Sequence, residues 1–167
     1  SPCRSMRPLV LLIALLAVSA SAQTPCSGGS AGAYACDGID LMAHMPLSTF
    51  TSPGSAAPSA MNDIWGWTDS ATGREYALVA MTNGTAFVDV TTPEAPVYRG
   101  KLPTATSASS WRDVKTVGDV AVIVSEAGSH GMQVFDLTRL RSVSSPPVTF
   151  TADARYTGFG SAHNVVV

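Results

Sequence analysis

The sequence has little charge. Only 13% of its 167 residues are Asp, Glu, Lys or Arg, which is about half the share of an ordinary soluble domain, and the formal net charge is −2. It contains no basic stretch or stripe. This composition argues against nucleic acid and anionic membrane surfaces as partners, because both require clustered positive charge.

The sequence also lacks an apolar run long enough to span a membrane. Leu9–Val18 is an unbroken run of ten apolar residues, whereas a membrane helix needs roughly 20. The run follows Met6-Arg7 and precedes Ala20-Ser21-Ala22, a small-x-small cleavage pattern. We therefore predict a leader over residues 1–22, with a signal peptide at Met6–Ala22, and a protein that is secreted or located at the cell surface.

Cysteine is scarce, with three in the chain, and Cys3 falls within the predicted leader. Cys26 and Cys36 form an even pair in a Gly/Ser/Ala-rich stretch, which favours a disulfide in an exported protein. A lipid anchor on Cys26 is the alternative, although Gln23-Thr24-Pro25 does not resemble a lipoprotein cleavage box. We expect residues 23–61 to be an irregular segment containing this disulfide.

What the sequence does contain is a repeat of about 50 residues. Asp63-Ile64-Trp65 recurs as Asp113-Val114-Lys115 after 50 positions and as Asn164-Val165-Val166 after a further 51. Within the units, Gly84–Thr91 matches Gly131–Thr138. A repeat of this length, made of short apolar runs, is typical of blade-by-blade or solenoid architectures.

Each unit contains four predicted strands, with the outermost one weakest. Tyr76–Met81 and Val120–Val124 are inner strands of the two units, while Val97–Arg99 and Val148–Phe150 are their outer strands. Asn83-Gly84 predicts a hairpin turn with two positive φ angles. The pattern predicts an all-β, β-propeller-like array of four-stranded antiparallel blades over residues 62–167. On this interpretation the array is truncated after two blades and the first strand of a third, and the isolated chain is prone to aggregate.

Several long motifs resemble the bacterial choice-of-anchor B proteins, which carry LVIVD-type repeats. The resemblance covers roughly residues 34–167 and rests on Asn62–Asp69, Gly73–Val79, Asn83–Val90, Trp111–Lys115, Val124–Ala127, His130–Leu137 and Ala162–Asn164. It implies a propeller-like repeat protein outside the cell, of which this chain would be an N-terminal fragment. Members end in varied C-terminal surface-anchoring signals, so the full-length protein would be anchored there. The resemblance transfers no catalytic residue.

Asp63, Asp113 and Asn164 recur at the same point of each unit. One interpretation is a ring of polar side chains around a central channel, able to hold a polar ligand or a divalent cation. The other is structural, with each carboxylate accepting backbone N–H groups where a strand begins. Asp89 and Asp136, each followed two residues later by Thr, predict turn caps.

Glu126, His130 and His163 form the best mixed cluster. Adjacent blades could bring them to one rim, where a carboxylate and two imidazoles would suit a transition metal, or a histidine would act as a general base. Their spacing matches no established metal motif, so we assign no metal or other cofactor. Trp65, Trp67 and Trp111 favour packing between blades, with a sugar- or peptide-stacking surface as the alternative.

These features predict a non-enzymatic binding module for an extracellular protein or carbohydrate ligand. Propellers suit this role because closure makes a rigid disc whose loops vary freely. A secreted metal-dependent hydrolase or lyase, using His, Glu and Asp side chains at the rim, is the alternative function.

Overall fold

The structure, a computed structural model, describes residues 23–167. The predicted signal peptide at Met6–Ala22 lies outside the described residues. The described chain is predominantly β, with short 3-10 helices at Leu47–Thr49 and Leu137–Ser142. In chain order the strands are β1 (Ser30–Ala31), β2 (Tyr34–Ala35), β3 (Met61–Thr68), β4 (Glu75–Met81), β5 (Gly84–Asp89), β6 (Val97–Pro103), β7 (Arg112–Val117), β8 (Val120–Ser125), β9 (Met132–Asp136), β10 (Val148–Thr149) and β11 (Ala154–Tyr156).

The two sequence units form two sheets. The first has the order β10-β6-β5-β4-β3 and the second the order β11-β9-β8-β7. Within each unit the strands are antiparallel and follow one another through short connections. The antiparallel all-β prediction is therefore confirmed, and the strands of each repeat lie in one sheet, with the exception of β10.

The predicted outer strand of the second unit is wrong. Val148 and Thr149 form β10, which pairs in parallel with Gly100 and Lys101 of β6 in the first sheet. The fourth position of the second sheet is taken by β11, paired antiparallel with β9. Gly100 permits this exchange, since a Cβ there would overlap the carbonyl oxygen of Val148.

Residues 157–167 contain no strand, so Asn164–Val166, predicted as the first strand of a third blade, pairs with no other strand among residues 23–167. The predicted Asn83-Gly84 turn is corrected. Asn83 does not adopt a positive φ, and the two-residue loop is Thr82-Asn83, with Met81 paired to Gly84. Gly84 is needed for a different reason, because a Cβ there would overlap the backbone carbonyl of Leu102 on the neighbouring strand.

Each sheet has a packed face and an open face. The packed faces meet in the main core, where the rings of Phe87 and Phe135 stack with centroids 4.6 Å apart. Strand alternation places Ile64 and Val79 on the open face of the first sheet, and Val117 and Val122 on that of the second. Ile64 is 62% exposed and Val117 is 56% exposed, so both open faces present apolar surface to solvent.

The first strands of the two sheets lie side by side. The indole Nε1 of Trp65 donates to Thr116 Oγ1 at 3.1 Å, and that of Trp67 donates to Asp119 at 3.3 Å. At the periphery, Arg141 makes a bidentate pair with the fully buried Asp69 at 2.6 and 2.8 Å. The guanidinium of Arg141 holds the pKa of Asp69 far below its usual range, so this link between the sheets stays charged.

The N-terminal segment packs on the outer part of the first sheet's open face. Phe50 joins Val88 and Tyr98 in a second apolar cluster. Lys101 is fully buried, and its ammonium donates to the carbonyl oxygens of Phe50 at 3.1 Å and Ala56 at 2.6 Å. Burial lowers the pKa of Lys101, because only neutral groups accept its hydrogen bonds. The start of the segment contains a disulfide between Cys26 and Cys36.

Two glycines with similar backbone angles give a test of the strand packing. Gly131 (φ +63°) would place a Cβ against the Tyr156 carbonyl oxygen of β11, whereas Gly118 (φ +57°) has open space at that position. Gly118→Ala should therefore cost only about 1 kcal/mol of backbone strain. Gly131→Ala should cost about 1–3 kcal/mol more, because β11 must move away. Urea unfolding of the two variants measures the loss in the free energy of unfolding for each. Equal losses would contradict the prediction, because they would show that β11 moves away from residue 131 without cost.

Candidate functional site

The best candidate site is a polar pocket where the first strands of the two units begin. Its volume is about 240 Å³. The pocket is lined by Asn62, Asp63, Trp111, Arg112, Asp113, Lys115, His163 and Asn164. The three recurring positions Asp63, Asp113 and Asn164 are therefore brought to one place, as the channel interpretation of the repeat requires.

The two recurring aspartates also have the structural role given as the second interpretation. Asp63 Oδ2 accepts the backbone N–H of Val114 at 3.2 Å, and Asp113 Oδ2 accepts that of Val165 at 2.7 Å. These contacts are the same bond repeated one unit later. Each carboxylate thus fixes the start of the following unit while lining the pocket.

Lys115 supplies a positive charge at the base of the pocket. Its ammonium contacts Asp113, lies 3.2 Å from Asp63 Oδ2, and sits 4.6 Å from the centroid of the Trp65 ring. Burial disfavours the charged form of Asp113. Hydrogen bonds involving Asp63, Lys115 and the Val165 amide outweigh that effect, and they lower the pKa of Asp113 to about 2. The base of the pocket is therefore an ion-pair network at neutral pH.

The rim of the pocket is exposed. Trp111 is 50% exposed, and its ring lies 5.7 Å from that of His163. His163 Nδ1 lies 2.6 Å from Glu126 Oε1. If Nδ1 carries the proton, it donates to Glu126 and leaves Nε2 available to a ligand. The rim thus combines a flat apolar ring with a carboxylate–imidazole pair.

His130 does not belong to this pair. It is fully buried, and its Nδ1 donates to the Gly131 carbonyl oxygen at 2.9 Å, so its Nε2 accepts from Arg112 Nη1 at 2.9 Å. The structure thus brings together two of the three predicted cluster residues and separates the third. Within residues 23–167, no group of three or more His, Cys, Asp or Glu side chains is placed to hold a metal ion.

Arg112 was not predicted as a site residue, although it occupies the position 50 residues after Asn62. Its side chain is 1% exposed and donates to Met81 O at 3.0 Å, to Thr104 Oγ1 at 2.8 Å and to His130. All three partners are neutral, and burial lowers the pKa of Arg112 to about 10. Met81 and Thr104 belong to the first unit, so Arg112 joins the two sheets directly behind the pocket.

Comparisons with known proteins give no match: no family model fits the chain, and no curated protein or solved structure is significantly similar to it. The resemblance to choice-of-anchor B proteins therefore stays a prediction. No helix among the described residues has both the length and the apolar character needed to cross a membrane.

The buried His130 predicts a pH dependence of stability. Burial lowers its pKa below the usual 6.5, with help from the charges of Arg112 and Arg155. Below about pH 6.5 the unfolded chain binds a proton that the folded chain excludes. The free energy of unfolding should therefore fall by up to about 1.4 kcal/mol per pH unit between about pH 6.5 and the lowered pKa, and be fully retained above that window.

Urea unfolding between about pH 5 and pH 7.5 measures this slope. His130→Gln should flatten it, since the amide oxygen can still accept from Arg112 without titrating. His44→Gln is the matched control, because His44 is exposed in the N-terminal segment and its replacement should leave the slope unchanged. A His130→Gln slope equal to that of the unsubstituted chain would contradict the assignment.

Proposed function

We propose that this chain belongs to an exported, propeller-like repeat protein that acts as a non-enzymatic, saccharide-binding module. The observation that carries the proposal is the polar pocket with exposed Trp111 at its rim. Export is supported by the leader pattern at residues 1–22, and the choice-of-anchor B resemblance supports a location at the cell surface.

The blade arrangement is supported by how the two units contact each other. Their first strands, β3 and β7, are neighbours, and each sheet runs outward from that strand in sequence order. The Asp63–Val114 bond is repeated by Asp113–Val165. A constant relation between successive first strands is what arranges blades around an axis.

The chemistry of the pocket favours a neutral polyhydroxylated ligand. Two carboxylates, Asp63 and Asp113, are balanced by two cations, Lys115 and Arg112, so these four charges of the lining cancel. Asn62 and Asn164 are exposed there. Asn62 Oδ1 accepts the backbone N–H of Arg112 at 3.1 Å, while the NH2 group of Asn62 and the amide of Asn164 can donate to or accept from a ligand. Trp111 provides an apolar ring of the kind that packs against the C–H face of a sugar.

A second candidate is a hydrolase or lyase that uses the Glu126–His163 pair. The 2.6 Å contact orients the imidazole, and an oriented histidine is a suitable general base. Turnover on a panel of glycosides, esters and peptides, lost in His163→Ala, would favour this function. Metal analysis of the same preparations separates a metal-dependent activity from a metal-free one.

The binding proposal predicts that Trp111→Ala weakens saccharide binding about tenfold or more, which is about 1.4 kcal/mol. An array of neutral and acidic oligosaccharides identifies the best-bound saccharide, and calorimetry with that saccharide measures the loss. Tyr34→Ala removes an aromatic ring that is 44% exposed in the N-terminal segment, and it should bind as the unsubstituted chain does. Absence of any array signal, or equal affinity in Trp111→Ala, would contradict the proposal, and capture of a protein through this pocket would replace it.

A further inference from the structure

The buried imidazole of His130 is held in one charge state by its two partners. Its Nδ1 lies 2.9 Å from the Gly131 carbonyl oxygen, which can only accept, and its Nε2 lies 2.9 Å from Arg112 Nη1, which can only donate. The imidazole is therefore neutral, with its proton on Nδ1. A second proton, on Nε2, would set an N–H group and a second positive charge against the buried guanidinium.

Arg112 connects this imidazole to the polar pocket. Its guanidinium donates to Met81 O and Thr104 Oγ1 of the first unit and to His130 of the second. Its backbone N–H donates to Asn62 Oδ1 at 3.1 Å, and both of these residues line the pocket. A displacement of the guanidinium would therefore disturb the lining of the pocket.

The loop between β8 and β9, residues 126–131, connects His130 to the rim of the pocket. It begins at Glu126, whose carboxylate lies 2.6 Å from His163 Nδ1. The backbone N–H of Glu126 donates to the Trp111 carbonyl oxygen at 3.2 Å. This segment, which we name the rim loop, therefore carries both a carboxylate of the rim and the buried imidazole.

The rim loop is held in a strained conformation. Ser129 has a φ of +59°, and among residues 23–167 it is the one residue other than glycine with a positive φ. Arg155 of β11 donates to the carbonyl oxygen of Ser129 and, at 2.9 Å, to that of His130. Strain of this kind persists only where surrounding contacts maintain it. The loop should therefore relax when the contact between His130 and Arg112 is lost.

The surroundings of the imidazole disfavour a second proton. Burial is the largest effect, and the positive charges of Arg112 and Arg155 act in the same direction. Hydrogen bonds with the Gly131 carbonyl and the neutral side chain of Gln133 in β9 oppose them only in part, so the pKa of His130 is lowered. Proton uptake is therefore favoured in a conformation in which the imidazole has left its site.

We propose that His130 is a positioning residue of the polar pocket: its neutral imidazole holds the rim loop in place, and its protonation releases the loop and the saccharide together. The released loop carries Glu126 away from His163 and leaves Arg112 without one of the acceptors that fix it behind the pocket. This regulation rests on the proposed function, because it concerns the same pocket. The protein would then bind its saccharide at neutral pH and release it in acidic surroundings.

The pH dependence of binding tests the proposal. The affinity for the best-bound saccharide should be constant above about pH 6.5 and should fall at lower pH, by at most about tenfold per pH unit for one proton. The sign follows because only the chain without this proton binds. Calorimetry between about pH 5 and pH 7.5 measures the dissociation constant in this range. His130→Gln should remove the fall, since its amide oxygen can still accept from Arg112 without titrating.

Two further variants separate the effect of His130 from those of the other histidines. Protonation of His163 would strengthen its contact with Glu126, so its effect on the rim has the opposite sign. The affinity of His163→Gln should therefore fall with decreasing pH at least as steeply as that of the unsubstituted chain. His44→Gln, at an exposed position in the N-terminal segment, is the matched control and should keep the unsubstituted pH dependence.

Hydrogen exchange detects release of the rim loop without any ligand. After correction for the intrinsic effect of pH, the amides of residues 126–131 should exchange faster at about pH 5.5 than at about pH 7.5, while those of Val120–Val124 stay protected. His130→Gln should abolish this difference. If no saccharide bound at neutral pH, the proposed function would fail, and the exchange of the loop would still decide whether His130 controls it.

Three results would overturn the inference. The first is an affinity that does not change with pH, and the second is one that falls equally in His130→Gln. The third is loss of protection in Val120–Val124 together with the rim loop, because that pattern indicates unfolding of the whole sheet.

Discussion

The apolar contact between the two sheets is the interaction on which the other features depend. Phe87 and Phe135 are stacked at its centre, and Leu78, Val114 and Ile123 are fully buried around them. A sheet can bury its apolar face only against another layer of the protein. Each of the two sheets therefore depends on the other to cover its apolar side chains. The first strands are adjacent because of this packing, and the polar pocket exists because those strands begin together.

The pocket also shows how structure and recognition share the same residues. Asp63 and Asp113 each fix the beginning of the next unit through a backbone amide, and both also contact Lys115. Such side chains are held rigidly, since moving one would leave an amide or an ammonium without its partner. A ligand entering the pocket would therefore meet polar groups that are already in place, with Trp111 and His163 as the exposed part of the rim.

The strands that repeat were predictable from the sequence, and the exceptions have identifiable physical causes. The apolar run Val120–Val124 lies wholly within strand β8. The Asp-x-Thr patterns predict turn caps, and Asp89 and Asp136 do accept the backbone N–H groups of Thr91 and Thr138. Val148–Thr149 was assigned to the wrong sheet because short strands carry little information about their partner, and Gly100 made the edge of β6 available. His130 could not be separated from Glu126 and His163 by spacing, since burial depends on the path of the loop between Ser125 and Gly131. Arg112 could not be identified as a site residue from the sequence, because its main-chain and hydroxyl partners Met81 and Thr104 come from the first unit.

The enclosed amine of Lys101 has a consequence for the N-terminal segment. The ammonium group is covered by the carbonyl groups of Phe50 and Ala56, so an amine-reactive reagent cannot reach it while residues 50–56 are in place. Its rate of chemical labelling therefore reports how often that stretch lifts from the first sheet. Mass spectrometry of the one peptide that contains Lys101 would therefore measure how often the N-terminal segment detaches from the sheet.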